Sequence, residues 1–537
     1  MTTLLLGGRV YSAAMPDATA IAVSDGPDGV VSWLGTDDVG RRQFPDARVV
    51  DLDGGFVTPA FVDGHVHVTA TGLALVGLDL RSATSRDDVL RLVGDYARRH
   101  PAGPIWGHGW DESGWQDRTP PTTADLDGLL GDRPAYLARV DVHSAAASTA
   151  LRAAVPGLTA AAGHHDQLPL TAHAHHLVRA AARASLTPDQ RRDARVAALD
   201  LAARSGIAAV HECAGPDIGG VDDWRELHAL RHGVEVVGYW GEAVTSAARA
   251  RELVDDVGVN GLAGDLFVDG ALGSHTAALL EAYADAPGCF GNAYLDGAAV
   301  EAHLDACTEA RITAGFHVIG DAAVTTVVDA LARVVDRHGA PAVARCGHRL
   351  EHLEMVSERQ AALLGSWGVI ASVQPNFDAL WGGPDGMYAQ RLGPERAGRL
   401  NPLALLASQG VPLAFGSDTP VTGMNPWETV RAATAHHTPG SALSARAAFA
   451  AATRGAWRAG GIRDGVAGTL APGAPATYAV WDVPGGLETL EVATPADTVA
   501  RWSTDPRSRI PALPRLTAGA PLPVCRQTVH RGVGIHG

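Results

Sequence analysis

Short apolar runs separated by longer mixed stretches dominate the middle of the chain. Eight of them have the length and composition of strands. They are Phe61–His67, Gly206–Glu212, Val234–Trp240, Asp265–Gly270, Ile312–Val318, Arg345–His352, Val369–Gln374 and Val411–Asp418. Helical stretches such as Val300–Ala310 and Ala322–His338 lie between them. Strands alternating with helices predict βαβ units and a parallel sheet, and eight such units are what a (β/α)8 barrel requires. The interval between the first two runs is too long for one helix. It holds strand-like runs of its own at Pro104–Trp110 and Ala135–Val142, which predicts an inserted α+β domain over residues 81–195. The ends read differently, as short β-rich pieces with Gly, Pro and Asp turns. Leu4–Leu6, Ile21–Val23, Val30–Leu34 and Val49–Leu52 at one end match Ala476–Trp481 and Gln527–Gly532 at the other. They predict one small sheet built from residues 1–58 and 462–537, leaving 59–80 and 196–461 for the barrel.

Composition narrows the class. With 46% hydrophobic and 19% charged residues over 537 positions, the chain is globular, with core enough for several domains. The formal charge of −16 argues against a nucleic-acid partner, because phosphate binding needs a basic surface. All 43 basic residues are arginine, and the chain has no lysine. That absence excludes a Schiff-base lysine for pyridoxal phosphate, a P-loop lysine for a nucleotide, and a carboxylated lysine bridging two metals. Cys213, Cys289, Cys307, Cys346 and Cys525 are odd in number and scattered, so no disulfide framework is expected. Leu4–Leu6 is too short for a signal peptide, and no 18-residue apolar run follows. A cytoplasmic protein without membrane association is expected.

The polar residues at strand ends carry the chemistry, since a barrel of this kind places its active site at the C-terminal ends of its strands. His65 and His67 alternate on one strand and so share a side. His317 ends the fifth run, His352 the sixth and Asp418 the eighth. Four histidines and an aspartate arriving at one rim suit Zn²⁺, Mn²⁺ or Fe²⁺. A rival pattern overlaps them: His348-Arg349-Leu350-Glu351-His352 spells the H-x-x-E-H of inverted zinc peptidases, which requires a helix.

Nine pieces in order resemble the amidohydrolase superfamily, specifically its YtcJ-like branch (amidohydrolase family 3), and are similar to N-substituted formamide deformylases. They include Val57–His67, Trp106–Asp111, Arg139–Ser144, Phe267–Ser274, His317–Ala323, Arg349–His352, Ser372–Pro375, Phe415–Pro420 and Gly468–Gly473. The resemblance implies a TIM-like barrel with a composite β-sandwich from both termini and an insertion after the first strand. It makes His65, His67, His317 and His352 metal ligands, and Asp418 a ligand and the acid/base. At the place of the lysine some relatives carboxylate stands Asp265, which could replace the carbamate directly, although its side chain is shorter and its reach is in question. Glu212 or Cys213 from the second strand could bridge instead, with a buried small residue the plainer role for Cys213. A mononuclear or asymmetric site is the preferred reading.

The expected cofactor is a divalent metal, zinc foremost, as one or two ions. The expected reaction is hydrolysis of a C–N bond in a small amide, formamide or cyclic amide by metal-activated hydroxide. A deaminase on the same scaffold and an inactive metal-binding homologue stay open, as does a homodimer. Asp269, His143, Arg349 and Trp110 are candidate substrate contacts, with loop ordering through hydrogen bonds the plainer role for Asp269. Trp106, Trp110 and Trp115 form either an aromatic lid pocket or the core of the insert. The histidines at His173–His176 are expected on a solvated loop, the alternatives being that they graze the site or bind adventitious metal.

Overall fold

A computed structural model describes residues 2–492 and 511–537; the part of the 462–537 segment at 493–510 lies outside the described residues. The barrel strands are β1 (Phe61–Val66), β2 (Ile207–Ala214), β3 (Glu235–Trp240), β4 (Gly261–Leu262), β5 (Thr313–Val318), β6 (Arg349–His352), β7 (Ile370–Val373) and β8 (Leu413–Phe415). They form one eight-stranded sheet in sequential order, and every neighbouring pair is parallel. The sheet closes at its mouth, where Val66 bridges Thr419 and the Asp418 amide donates to the His65 carbonyl at 2.8 Å. Helices cover the outside. Gly297–Ala310, capped by Asp296, and Asp321–His338 lay Val300, Leu304, Val324, Val327 and Leu331 into the central core. Each such burial contributes roughly 1.5–3 kcal/mol.

Two strands depart from the sequence reading. The fourth is predicted at Asp265–Gly270 but lies at Gly261–Leu262, and the chain beyond it pairs with the β5 backbone as an isolated Phe267–His317 bridge. Gly264, at φ +76°, ends the extended run. The sixth begins only at Arg349, because Ala340–Cys346 is helical and Gly347 stops that helix in the left-handed region. The H-x-x-E-H peptidase pattern fails on the same ground: it lies on a strand, with its histidines at opposite ends.

The termini build two sheets rather than the single one read from their apolar runs, and so form the composite β-sandwich that the resemblance implies. Thr2–Leu6, Ala20–Ser24, Val31–Gly35 and Arg48–Asp51 form a sheet of N-terminal strands alone. Arg9–Val10 and Phe56–Pro59 join Tyr478–Asp482, Val524–His530 and Val533–His536 in the second. Leu5, Ile21, Val10, Val57, Tyr478 and Val480 pack between them, which gives the apolar face of each sheet its partner.

Residues between β1 and β2 form a five-stranded sheet of Leu78–Asp79, Ile105–Trp110, Ala135–Arg139, Ser144–Ala147 and Leu170–Thr171. Period-two alternation splits its faces: Leu137 packs with Val89, Val93 and Leu126, whereas Tyr136 and Ala138 pack with Ala174 and Val178 of helix Ala172–Ala184. No helix among the described residues is long and apolar enough to cross a membrane.

Candidate metal centre

The strand ends bring His65, His67, His317, His352 and Asp418 together. His65 presents its Nδ1 to Glu351 Oε2 at 2.9 Å, which turns its Nε2 towards Asp418 Oδ1 at 3.4 Å and Asp265 Oδ1 at 3.5 Å. His67 Nε2 lies 3.1 Å from Asp265 Oδ2 and 3.3 Å from Asp418 Oδ1. His317 Nε2 faces the Gly270 carbonyl at 3.2 Å, leaving Nδ1 3.5 Å from Asp265 Oδ1. His352 is anchored by Gln374 Oε1 at 2.9 Å, and its Nε2 lies 3.9 Å from Asp265 Oδ1. His352 and Asp418 both hold positive φ, +69° and +54°, a conformation costly for residues with a Cβ. Strain at two strand ends that converge on one point marks a place where side-chain position outweighs backbone comfort.

Asp265 stands at the centre of this arrangement, within reach of all four histidines. The chain leaves strand geometry after Leu262 and turns into the barrel mouth. Gly264 takes a left-handed φ there, packed against Cys213, and Gly241 lets the Asp265 backbone pass so closely that a Cβ would stand 2.6 Å from its carbonyl oxygen. A short side chain on a backbone brought inward replaces the reach of a long one on a strand. Burial opposes the charge of Asp265, but His65, His317, His352 and His67 overcome it and hold the carboxyl well below the usual carboxylate range. His65, His67 and Asp265 form one group with metal-ligand spacing; Asp265, His317 and His352 form another. The two alternative bridges have other partners, although Cys213 also forms a group with metal-ligand spacing with His65 and Glu351. Glu212 Oε2 accepts from the Val68 amide at 2.7 Å and fixes the helix that follows His67. Cys213 is buried, its thiol pushed up by burial, beside a Glu351 carboxylate that Arg349 and His65 already engage.

Beneath this cluster lies a satisfied polar layer. Arg349 is fully buried; it pairs with both oxygens of Glu351, donates to the Gly64 carbonyl and Ser372 Oγ, and stands 4.4 Å over the Tyr239 ring. Arg349 therefore positions His65 through Glu351 and cannot reach a substrate, contrary to expectation. Asp269 takes the loop-ordering role rather than that of a substrate contact. Its two oxygens accept from the amides of Ala278, Ile319 and Gly320 at 2.8–3.0 Å, which orders loops. Trp110 donates to the Leu137 carbonyl and Trp115 to the Ala83 carbonyl, both in the core of the insert's sheet, and no aromatic lid pocket forms from them.

A cleft of about 470 Å³ opens over the centre, floored by His67, Asp265, His317 and Asp418. His143 lines it, its ring 5.1 Å from that of His317, and burial together with His317 pushes its pKa well down. The histidines at 173–176 are helical rather than looped: His175 meets the Tyr136 hydroxyl at 2.8 Å and His176 lines the cleft. Glu351 and Gln374 were missed as orienting partners. The alternation Arg349-x-Glu351, which puts both on one side of β6, is the signal that would have found the first.

A closed parallel barrel with an imidazole and carboxylate cluster at its C-terminal mouth is the architecture of a hydrolase barrel. The chain belongs to the amidohydrolase family, which it matches over residues 48–536. It is 27% identical over 525 residues to Protein LONG AFTER FAR-RED 3 of Arabidopsis thaliana, covering 89% of this chain and 88% of that one. It is 26% identical over 465 residues to the putative amidohydrolase YtcJ of Bacillus subtilis (strain 168), covering 79% and 82%. An uncharacterized metal-dependent hydrolase from Pyrococcus horikoshii OT3 shares the fold at a TM-score of 0.68, with 24% identity over 90% of this chain and 97% of the other.

Proposed function

We propose that the protein is a metal-dependent hydrolase of a non-peptide C–N bond in a small amide, formamide or cyclic amide. One observation carries this reading. His65 Nε2, His317 Nδ1, His352 Nε2 and Asp265 Oδ1 are all buried, all lack a hydrogen-bond partner, and all converge on one point. A buried polar atom left unpartnered costs about 1–3 kcal/mol, so four in one place mark the seat of a bound group. Imidazole nitrogens with carboxylate oxygens suit a divalent transition metal, zinc foremost. His65, His67, Asp265 and Asp418 would hold one ion, and Asp265 with His317 and His352 offers a place for a second. Such an ion supplies a Lewis acid and a water acidic enough to ionise near neutral pH.

The chain's own groups do the rest. Asp418 Oδ1, within 3.4 Å of His65 and His67, faces the cleft and takes the proton of the attacking water. It returns that proton to the leaving nitrogen, so that an amine departs rather than an amide anion. His143, kept neutral, has a ring N–H to offer the carbonyl oxygen. Water adds across the C–N bond, giving one carboxylic acid and one amine.

The test pairs metal analysis with turnover. Protein supplied with Zn²⁺, Mn²⁺ or Fe²⁺ is expected to retain about one to two ions per chain and to cleave members of an amide, formamide and cyclic-amide panel. Asp418→Asn is expected to keep its metal and lose about 10²–10⁴-fold in turnover. Normal turnover by that variant would remove Asp418 from the acid/base role. A protein that keeps no metal and cleaves nothing would overturn the reading, and ammonia release without a new carboxylate would replace it with deamination.

A further inference from the structure

Among the described residues, the buried arginines are paired with a carboxylate, with one exception. Arg139, Arg195, Arg349 and Arg391 each meet a carboxylate at 2.8 Å or less. Arg179 is as buried as they are and has no carboxylate among the described residues. One of its terminal nitrogens donates to the Asp217 carbonyl, and its Nε has no partner at all. Arg183, one turn further along helix Ala172–Ala184, also leaves Nε and one terminal nitrogen buried and unpartnered. With His176 they form a single stripe at i, i+3 and i+7, and all three line the cleft whose floor is His67, Asp265 and Asp418. An unpaired buried guanidinium is expensive, and a fork of free N–H donors matches the geometry of a carboxylate.

The cleft continues on the other side of the centre into a second arm of about 360 Å³, walled mainly by Leu272, Phe377, Trp381, Met387 and Tyr388, with the carboxylates of Asp141 and buried Glu354 also on its lining. His143, His317 and Asp418 belong to both arms. The centre thus lies between an arm that carries Arg179 and Arg183 on one wall and a second arm that is mostly apolar and aromatic.

We infer that Arg179 and Arg183 form an anion-binding arm, and that the substrate class is a small amide with a carboxylate on one side of the scissile C–N bond and an apolar group on the other. This rests on the hydrolase reading only for what happens at the bond; the anion site stands or falls separately. Hydrolysis would add water across that bond and leave the carboxylate bound to the arginines unchanged.

The experiment uses the full, metal-loaded chain and two probes of similar shape, N-benzoylglycine and uncharged N-ethylbenzamide, followed by calorimetric binding and by turnover. N-benzoylglycine is expected to bind about tenfold or more tightly, and added salt is expected to weaken that preference. Arg179→Met and Arg183→Gln are each expected to lower the anionic-to-neutral affinity ratio about tenfold or more at unchanged metal content, and Arg179→Lys to restore part of it. Equal affinity for the two probes, or an unchanged ratio in both folded variants, would overturn the inference. Preferential anion binding without cleavage of any amide would uphold the anion-binding arm and overturn both the amide substrate class and the hydrolase reading. Cleavage of uncharged amides with no anion preference would do the reverse.

Discussion

His348 and His352 stand at opposite ends of β6, both buried, and the protein uses them in opposite ways. His348, just before the strand, has both ring nitrogens occupied: Nδ1 accepts from the Ala314 amide and Nε2 meets Thr308 Oγ1, each at 2.9 Å. His352, at the far end, is tied by Nδ1 to Gln374 and leaves Nε2 without a partner, facing Asp265. Residue type, burial and strand are the same; only the second nitrogen differs. A buried histidine with two filled valences is a structural cross-link, and one with a valence left open at a shared point is part of a site. The N-terminal end of the barrel is built for stability and the C-terminal mouth for binding, as this architecture requires.

The sharpest way to break that contrast is at Asp265. It faces four histidines, so Asp265→Ala is expected to cut the metal-to-protein ratio to less than half and to lower turnover by about 10³-fold or more. That exceeds the ~10–100-fold cost of losing an outer partner. Elemental analysis beside a His348→Asn control makes the comparison. A D265A protein with wild-type metal content would mean that the open valences at the mouth do not add up to one centre.

One layer down, Glu351→Gln tests whether the satisfied floor acts through the mouth. Glu351 links Arg349 to His65, and burial is outweighed there by the Arg349 charge and the His65 hydrogen bond, which hold its carboxyl far below the ordinary range. Removing the charge leaves Arg349 buried and unpaired, a change of about 3–5 kcal/mol, and frees the ring of His65. Metal affinity is expected to fall about 10–100-fold in a chelator competition. Lower thermal stability with unchanged metal affinity would make the floor purely structural.

How much of this was legible in the chain differs by feature. The barrel was legible because eight apolar runs recur between helical stretches, and His65, His67, His317, His352 and Asp418 because each ends such a run. Asp265 was legible as a position but not as a reach. Its inward step depends on the left-handed turn at Gly264 and on the backbone contact allowed by Gly241, which belong to tertiary packing. Arg349, Asp269 and Trp110 were read as substrate contacts from their neighbours in sequence. Their real partners, Glu351 and Ser372, the amides at 278, 319 and 320, and the Leu137 carbonyl, include groups far along the chain. The stripe of His176, Arg179 and Arg183 was hidden by its own polarity, since a helix face lining a polar cleft lacks the apolar period by which helices are found.

The smallest expected effect sharpens the comparison from the His348 side, through pH. Burial, with His303 nearby, pushes the His348 imidazole down to about 3, against about 6.5 in the unfolded chain. The native ring therefore stays neutral while the unfolded one takes up a proton between those values. The stability that neutral His348 contributes is complete above about pH 6.5 and is lost as pH falls through about 3. At pH 5 roughly 2 kcal/mol of it has gone. His348→Asn is expected to cost about 1–3 kcal/mol at pH 7.5, from the hydrogen bonds to Ala314 and Thr308, and to leave metal content unchanged. Because the variant no longer titrates there, its deficit against the wild type is expected to shrink by about 2 kcal/mol at pH 5. Denaturant unfolding at the two pH values measures both terms. A deficit that stays constant, or metal lost from the variant, would show that the two ends of β6 are not as separate in role as their hydrogen bonds make them.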